Sequence, residues 1–502
     1  MNNKRCVTCR GKISFALADA RLSLVFFVNK MKHLIIFLLL FMSFALHAEV
    51  RLSAIFTDGM VLQQQKSVPI WGWSESNTTV RVETSWDQKE YEVTANDKGV
   101  WRLFIQTPAA GGPYSITVSE NNTLVLNDVL IGEVWLCSGQ SNMEMPMKGY
   151  PAQPIIGSTD AILESKDEQL RLYTVPRNPL LKPADDSKPS EWKKANPQDV
   201  ANFSATAYFF GRRLRQVLDV PVGLIHSSYG GSNIEAWMDA AWLEDMEGIE
   251  IPQQEEGLKD KNRKPTMLYN GMIHPLVGYG IKGMIWYQGE SNYENPDQYE
   301  TLFPRMVAKY RELWQDDALP FYYTQIAPFD YASLPPYYIG GKYNSAYIRD
   351  AQRKSLAHIP YSGMAVTMDI GEKNCIHPAH KKEGGERLAL LALGDAYHIE
   401  GLNHKSPVYD NIDIQGSTVV VQFKDVPLGL TSFGKDLKTF EIAGEDQVFH
   451  PANAIVQGKA VLVSSPRVAE PVAVRYAFKD FVVGDLFGVN GLPVSSFRTD
   501  DW

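Results

Sequence analysis

Gly139-Gln140-Ser141-Asn142-Met143 follows the apolar run Val134–Cys137 and puts a serine where a strand would end. A glycine two residues earlier permits a tight turn, so the hydroxyl can act as a nucleophile once a base takes its proton. The stretch is not the G-x-S-x-G elbow of α/β-hydrolases, because residue 143 is Met. A serine at such a turn serves equally as a helix N-cap. Ser228-Tyr229-Gly230-Gly231-Ser232 follows a second apolar run, Val222–Ser227. Its paired glycines expose N–H donors of the kind that hold an oxyanion, or simply make a tight turn. Trp286-Tyr287-Gln288-Gly289-Glu290-Ser291-Asn292 ends a third run. The Gln288 amide can donate to an oxyanion, and Glu290 is either a catalytic carboxylate or an acceptor that orders its loop. Asp369 to Pro378 follows a fourth run, Gly363–Met368, and carries His377 between Ile376 and Pro378. His377 is a candidate general base or a surface polar residue. His377 and His380 stand i, i+3 across a proline with no third ligand nearby, so no metal is expected.

All four stretches lie in residues 129–400, where strand-like runs alternate with helix-like ones. Ala205–Leu218, Tyr299–Trp314 and Lys381–Tyr397 repeat apolar residues at three- and four-residue spacing. The alternation predicts an α/β, doubly wound parallel sheet with helices on both faces, whose ligands bind beyond the strands' carboxyl ends. Residues 49–128 differ. Short alternating runs at Val80–Glu83, Tyr91–Val93, Trp101–Ile105 and Tyr114–Val118 are punctuated by turn signals, as in a small β-sandwich. Residues 401–502 return to alternation at Thr418–Phe423 and Ala460–Ser464, which predicts a second β-domain.

The first 48 residues stand apart. Lys30 and Lys32 precede Leu34–Leu46, an apolar run of 13 residues, with small residues at Ser43, Ala45 and Ala48. That run is short for a membrane span and matches a cleaved export signal, with translation expected to start at Met31. The protein is therefore expected outside the cytoplasm, periplasmic or extracellular, without membrane insertion after cleavage. The 502-residue chain is 44% hydrophobic and 21% charged, ordinary globular composition with a formal charge of −9. Residues 1–48 carry seven basic residues and one acid, so the rest of the chain stands at −15. This acidity disfavours nucleic acid as a partner. Cys6 and Cys9 fall in the segment to be removed. Cys137 and Cys375 remain, and two cysteines make no disulfide framework; they read as buried free thiols or a single bridge.

Serine at the first strand end, glycine amides at the second, an amide side chain at the third and histidine near the last is the order of an SGNH-type esterase. GQSNMEMPM, GGSNIEAW, KGMIWYQGESN, IHPAHKKEGGERLAL and the ending GLPVSSFRTDDW resemble the sialate O-acetylesterase family. The resemblance runs over nearly all of the chain after residue 48. It implies an SGNH-hydrolase-like catalytic domain at 129–400 flanked by β-sandwich-like domains at 49–128 and 401–502. It also implies a serine esterase that removes O-acetyl groups from carbohydrate through an acetyl-enzyme and needs no cofactor. Ser141 is then the nucleophile and His377 the general base. The Ser141 and Gly231 amides with the Gln288 side chain hold the oxyanion, and Glu290 and Asn292 contact the sugar.

One position departs from the wider superfamily, which commonly has Asp three residues before the histidine. Here it is Asn374. Asp369 is the acid expected to orient His377, with Asn374 or a backbone carbonyl as the alternative. Acetylated sialic acid and acetylated polysaccharides such as xylan both suit the site. A non-catalytic glycan-binding protein is the competing class, disfavoured by the intact Ser, Gly, Gln and His set. A sialic acid site needs a cation near Ser141, for which Arg212 and Lys148 are candidates.

Overall fold

The computed structural model describes Met31, residues 49–333 and residues 344–502. The expected signal segment, its cleavage site and Cys6–Cys9 lie outside the described residues. Val50–Trp502 forms one compact unit. No described helix is long and apolar enough to cross a membrane.

A large mixed sheet runs through the middle of the chain. Its path is Lys193–Ala195, Asp167–Thr174, Val222–Ser228, Thr123–Gly139, Gly283–Tyr287, Phe321–Thr324 and Ser362–Ala365. All neighbours pair in parallel except Lys193–Ala195, which runs antiparallel at the edge. Every residue of Val222–Ser228 and of Gly283–Tyr287 is buried. Such strands lack alternation because helices cover both faces of the sheet. On one face Trp135 meets Phe210 of the helix Ala205–Leu218 edge-on. On the other, Phe303 of the helix Pro296–Trp314 packs on Phe321 and Tyr323.

The strand Thr123–Gly139 enters the parallel sheet first and stays central. The chain then lays down Asp167–Thr174 and the edge strand Lys193–Ala195 on one side, returns to insert Val222–Ser228 beside the central strand, and afterwards builds outward on the other side through Gly283–Tyr287, Phe321–Thr324 and Ser362–Ala365. The order therefore reverses at the carboxyl end of Thr123–Gly139, where Ser141 follows. A crevice opens at such a reversal because the connections leave in opposite directions.

The same strand also belongs to the preceding β-region. Its first half pairs with Gly111–Ser119, and Leu130–Gly132 pairs with Val61–Gln63. The expected border at 128/129 thus falls inside an unbroken strand. Ser67–Trp73 and Val100–Gln106 form a separate sheet with Arg51–Leu52. After residue 401 two four-stranded sheets follow, one containing Thr418–Lys424 and Ala460–Ser464, the other Phe440–Ala443 and Ala473–Tyr476. This region is tied to the helix Ser345–Ser355. The buried Arg349 reaches the Lys479 carbonyl, and the Asp480 carboxylate caps the Ser345 N–H at 2.6 Å.

Candidate active site

Ser141 begins a short helix, Ser141–Glu144, directly after the central strand. The turn depends on Gly139, whose φ is +141°. A Cβ there would lie 2.1 Å from the Tyr287 carbonyl oxygen, so only glycine lets the two strand ends come together. Gln140 fixes the turn: its N–H donates to Tyr287 O at 2.9 Å, and its Oε1 accepts from the Gly289 and Ser291 amides at 3.3 Å.

The glycine loop closes over the serine. Tyr229 N–H donates to Gly139 O at 3.1 Å, and a Cβ on Gly230 would stand 3.3 Å from Ser141 Cβ. The Gly230 N–H donates to Glu144 Oε2 at 2.8 Å, while Asn262 Nδ2 holds the Gly230 carbonyl at 2.8 Å. Gly231 follows at φ +69°, a left-handed turn suited to glycine. The other Glu144 oxygen accepts from Arg177 at 2.7 Å, and the Arg177 guanidinium lies over the Tyr229 ring at 4.2 Å. Arg177 is thus a cation bound to the nucleophile helix. Lys148 is bound to Asn202 and Arg212 to Glu164.

His377 projects from the loop before the helix Lys381–Leu391, and the Tyr150 ring meets it edge-on at 5.4 Å. Glu372 closes this loop by accepting the Ala379 N–H at 2.6 Å. His377 Nδ1 lies 2.6 Å from Gln153 Oε1. An amide oxygen can only accept, so Nδ1 carries the proton and Nε2 is left as the basic nitrogen. Burial, reinforced by the nearby Lys381 ammonium, pushes the His377 pKa down to about 4. The imidazole is therefore neutral at pH 7, the form a general base requires.

Three expected roles change. Asp369 does not orient His377: both of its oxygens accept from Arg387, at 2.7 Å each. A guanidinium fork matches a carboxylate better than a single ring N–H does, and Arg387 stands on the helix facing the Asp369 loop. Gln288 is wholly buried, and its Nε2 donates to Ser232 O at 3.0 Å and Asn292 Oδ1 at 2.7 Å. Both of its N–H donors are taken up by these two partners. Glu290 and Asn292 are buried rather than facing a sugar. Glu290 accepts from Asn142 Nδ2 at 2.5 Å, and Asn292 donates to both oxygens of the buried Glu235 and accepts the Ile234 N–H. The cause is common to the last three: buried carboxylates at Glu235 and Glu290 need donors, and the neighbouring amides supply them.

Gln153, Tyr150 and Arg177 stand outside every motif of the sequence, while Lys381 lies inside IHPAHKKEGGERLAL. Glu144 and Asn142 at least lie inside the GQSNMEM motif. Cys137 is buried, and both Cys137 and Cys375 are free thiols.

The family described as "Carbohydrate esterase, sialic acid-specific acetylesterase" matches residues 131–392, about half of the chain. Sialate O-acetylesterase of Mus musculus is 28% identical over 85% of this chain and 89% of its own length. The Homo sapiens enzyme is 29% identical over 78% and 80%. The crystal structure of a carbohydrate acetylesterase from Xanthomonas citri shares 38% identity and superposes with a TM-score of 0.82, covering 90% of this chain and all of that one. The chain therefore belongs to the carbohydrate esterase family of sialic acid-specific acetylesterases, and it is a carboxylic ester hydrolase.

Proposed function

We propose that the protein is a serine O-acetylesterase that deacetylates O-acetylated sialic acids through an acetyl-enzyme on Ser141. The observation that carries the reading is the neutral His377, with its Nδ1 proton held by Gln153, on the loop beside the helix that Ser141 opens. In the reaction, His377 Nε2 takes the Ser141 proton as Oγ attacks the acetyl carbonyl. The developing oxyanion is held by the backbone N–H groups of Ser141 and Gly231, since the Gly230 and Gln288 donors are occupied. His377 then returns the proton to the departing sugar oxygen, and water, deprotonated by the same nitrogen, releases acetate.

The doubly wound core with its nucleophile at the switch point supports an SGNH-type catalytic region at about 129–400. The segments 49–128 and 401–502 act as supporting β-domains, and the segment before residue 49 as an export signal.

A second reading has its own support. The Arg177 guanidinium, a cation bound to the nucleophile helix, is already paired with Glu144. A neutral acetylated polysaccharide such as acetylxylan needs no carboxylate partner, and the similar Xanthomonas citri protein is described as a carbohydrate acetylesterase. Acetate release from O-acetylated sialic acid and from acetylated xylooligosaccharide, measured side by side, separates the two. A kcat/KM at least tenfold higher on the sialic acid supports the first reading. The reverse order overturns it in favour of the second.

A further inference from the structure

Three buried polar groups connect the nucleophile helix to the His377 loop. Asn142, the residue after Ser141, donates from Nδ2 to the Ile376 carbonyl at 3.1 Å and to Glu290 Oε1 at 2.5 Å. Its Oδ1 accepts from Lys381 Nζ at 2.6 Å, and the same ammonium donates to the Pro378 carbonyl at 2.9 Å. The peptide carbonyls on both sides of His377 are thus held, one by Asn142 and one by Lys381. All three side chains are 1–3% exposed.

We propose that Asn142, Lys381 and Glu290 are positioning residues, a clamp that fixes the His377 backbone relative to Ser141 and so sets the geometry of proton transfer. This rests on the reading of Ser141 and His377 as nucleophile and base.

The chemistry of the three groups fits that task. A plain turn could be closed by one hydrogen bond, yet here a lysine and a glutamate are carried into the interior. Such groups are costly to bury unless each is bonded to the other or to a shared partner. Asn142 is the shared partner, since its amide offers an acceptor to the ammonium and donors to the carboxylate and carbonyl. Glu290, Glu372 and Cys375 face Lys381. Burial lowers the Lys381 pKa to about 7 and raises that of Glu290. The lysine ammonium also disfavours a second positive charge on His377, which keeps the base unprotonated before the substrate arrives.

A clamp of this kind acts on kcat more than on KM, because it touches neither sugar nor acetyl group. Misplacing a base by about 1 Å costs on the order of 100-fold in rate. The test compares Lys381→Met, Asn142→Asp and the pair Asn142→Asp/Glu290→Gln with wild type and with Ser141→Ala. Each variant is checked for wild-type circular dichroism and a cooperative melt. Lys381→Met keeps the stem and leaves two carbonyl acceptors without their donor. Asn142→Asp sets a carboxylate against Glu290 and against Ile376 O, while Glu290→Gln restores a donor toward it. Folded Lys381→Met and Asn142→Asp are expected to lose about 100-fold in kcat with KM within about threefold. The double variant should recover at least about tenfold over Asn142→Asp alone. If Lys381→Met fails to fold, the Asn142→Asp pair alone decides the question. Near-normal kcat in the folded variants, or a double variant no better than Asn142→Asp, overturns the clamp while Ser141→Ala stays dead. Activity retained in Ser141→Ala overturns instead the reading on which it rests.

Discussion

Replacing Gln153 by Glu turns a neutral acceptor on His377 Nδ1 into a carboxylate. The contact is 2.6 Å, the same distance and direction that a triad acid would use. With charge centres about 4 Å apart and an effective dielectric near 20, the imidazolium gains ~4 kcal/mol, equivalent to about three pH units. The wild-type ring titrates near 4 because it is buried and faces Lys381. The sign follows from the mechanism: only the neutral ring is a base, so kcat/KM rises with pH through this pKa. In wild type the acid limb should lie near pH 4, with a plateau above about pH 5. In Gln153→Glu the limb should move to about pH 7. On the new plateau kcat should rise by roughly tenfold, because part of the imidazolium stabilisation is felt in the transition state. The assay is kcat/KM from pH 3.5 to 9 with p-nitrophenyl acetate, using buffers of constant ionic strength. A limb that stays near pH 4 in a folded Gln153→Glu variant would refute the assignment of Gln153 as the residue that orients His377.

Other expectations follow from the same contacts. Asp369→Asn should remove the negative charge that pairs with the Arg387 guanidinium and cost about 3 kcal/mol in urea unfolding, while the pH–rate profile keeps its limb. A profile that shifts would return Asp369 to the site. Gly139→Ala should lower stability by about 3 kcal/mol or more, or prevent soluble expression, since the new Cβ meets the Tyr287 carbonyl; a wild-type Tm contradicts the turn geometry. His226 is fully buried, and burial pushes its pKa down to about 4. The unfolded chain therefore binds the extra proton between pH 6.5 and 4, and stability is lost as pH falls through that window, by on the order of 3 kcal/mol. Chemical unfolding at pH 7 and pH 4 should show a smaller loss in His226→Gln than in wild type; equal losses would be the contrary result.

Much of the scaffold is legible in the residues because apolar spacing decides it. The helix Ala205–Leu218 matches its periodic stretch end to end, and the strands Val222–Ser228 and Gly283–Tyr287 match their apolar runs to within a residue, whereas the run Val134–Cys137 is only the last part of the long strand Thr123–Gly139. The helix Ser345–Ser355 is not legible: its buried face mixes Arg349, Asp350, Gln352 and Ser355 with Ala346, Ile348 and Ala351, so polar residues dilute the apolar stripe. Phe321–Thr324 is only four residues long, and Asp167–Thr174 opens with charges.

The candidate site divides in the same way. Ser141, the glycine loop and His377 are local signals, each set at or beyond the end of an apolar run. The partner of His377 is not local. Gln153 is 224 residues away on a turn without periodicity, and only tertiary packing brings it to the ring. Asp369 is near His377 in sequence, which suggests the orienting acid, but Arg387 on the following helix takes both of its oxygens. Gln288 looked like a free donor because nothing in its own stretch reveals the buried Glu235, whose partner Asn292 it bonds in turn.

The most direct test of the central claim is to find where the acyl group sits. The protein is treated with a fluorophosphonate probe, digested, and the labelled peptide sequenced by mass spectrometry, with the labelling rate followed in parallel. A single adduct on Ser141 is expected, absent from Ser141→Ala and formed about 100-fold or more slowly in His377→Ala. An adduct on another residue, or labelling of Ser141→Ala at the wild-type rate, would contradict that claim.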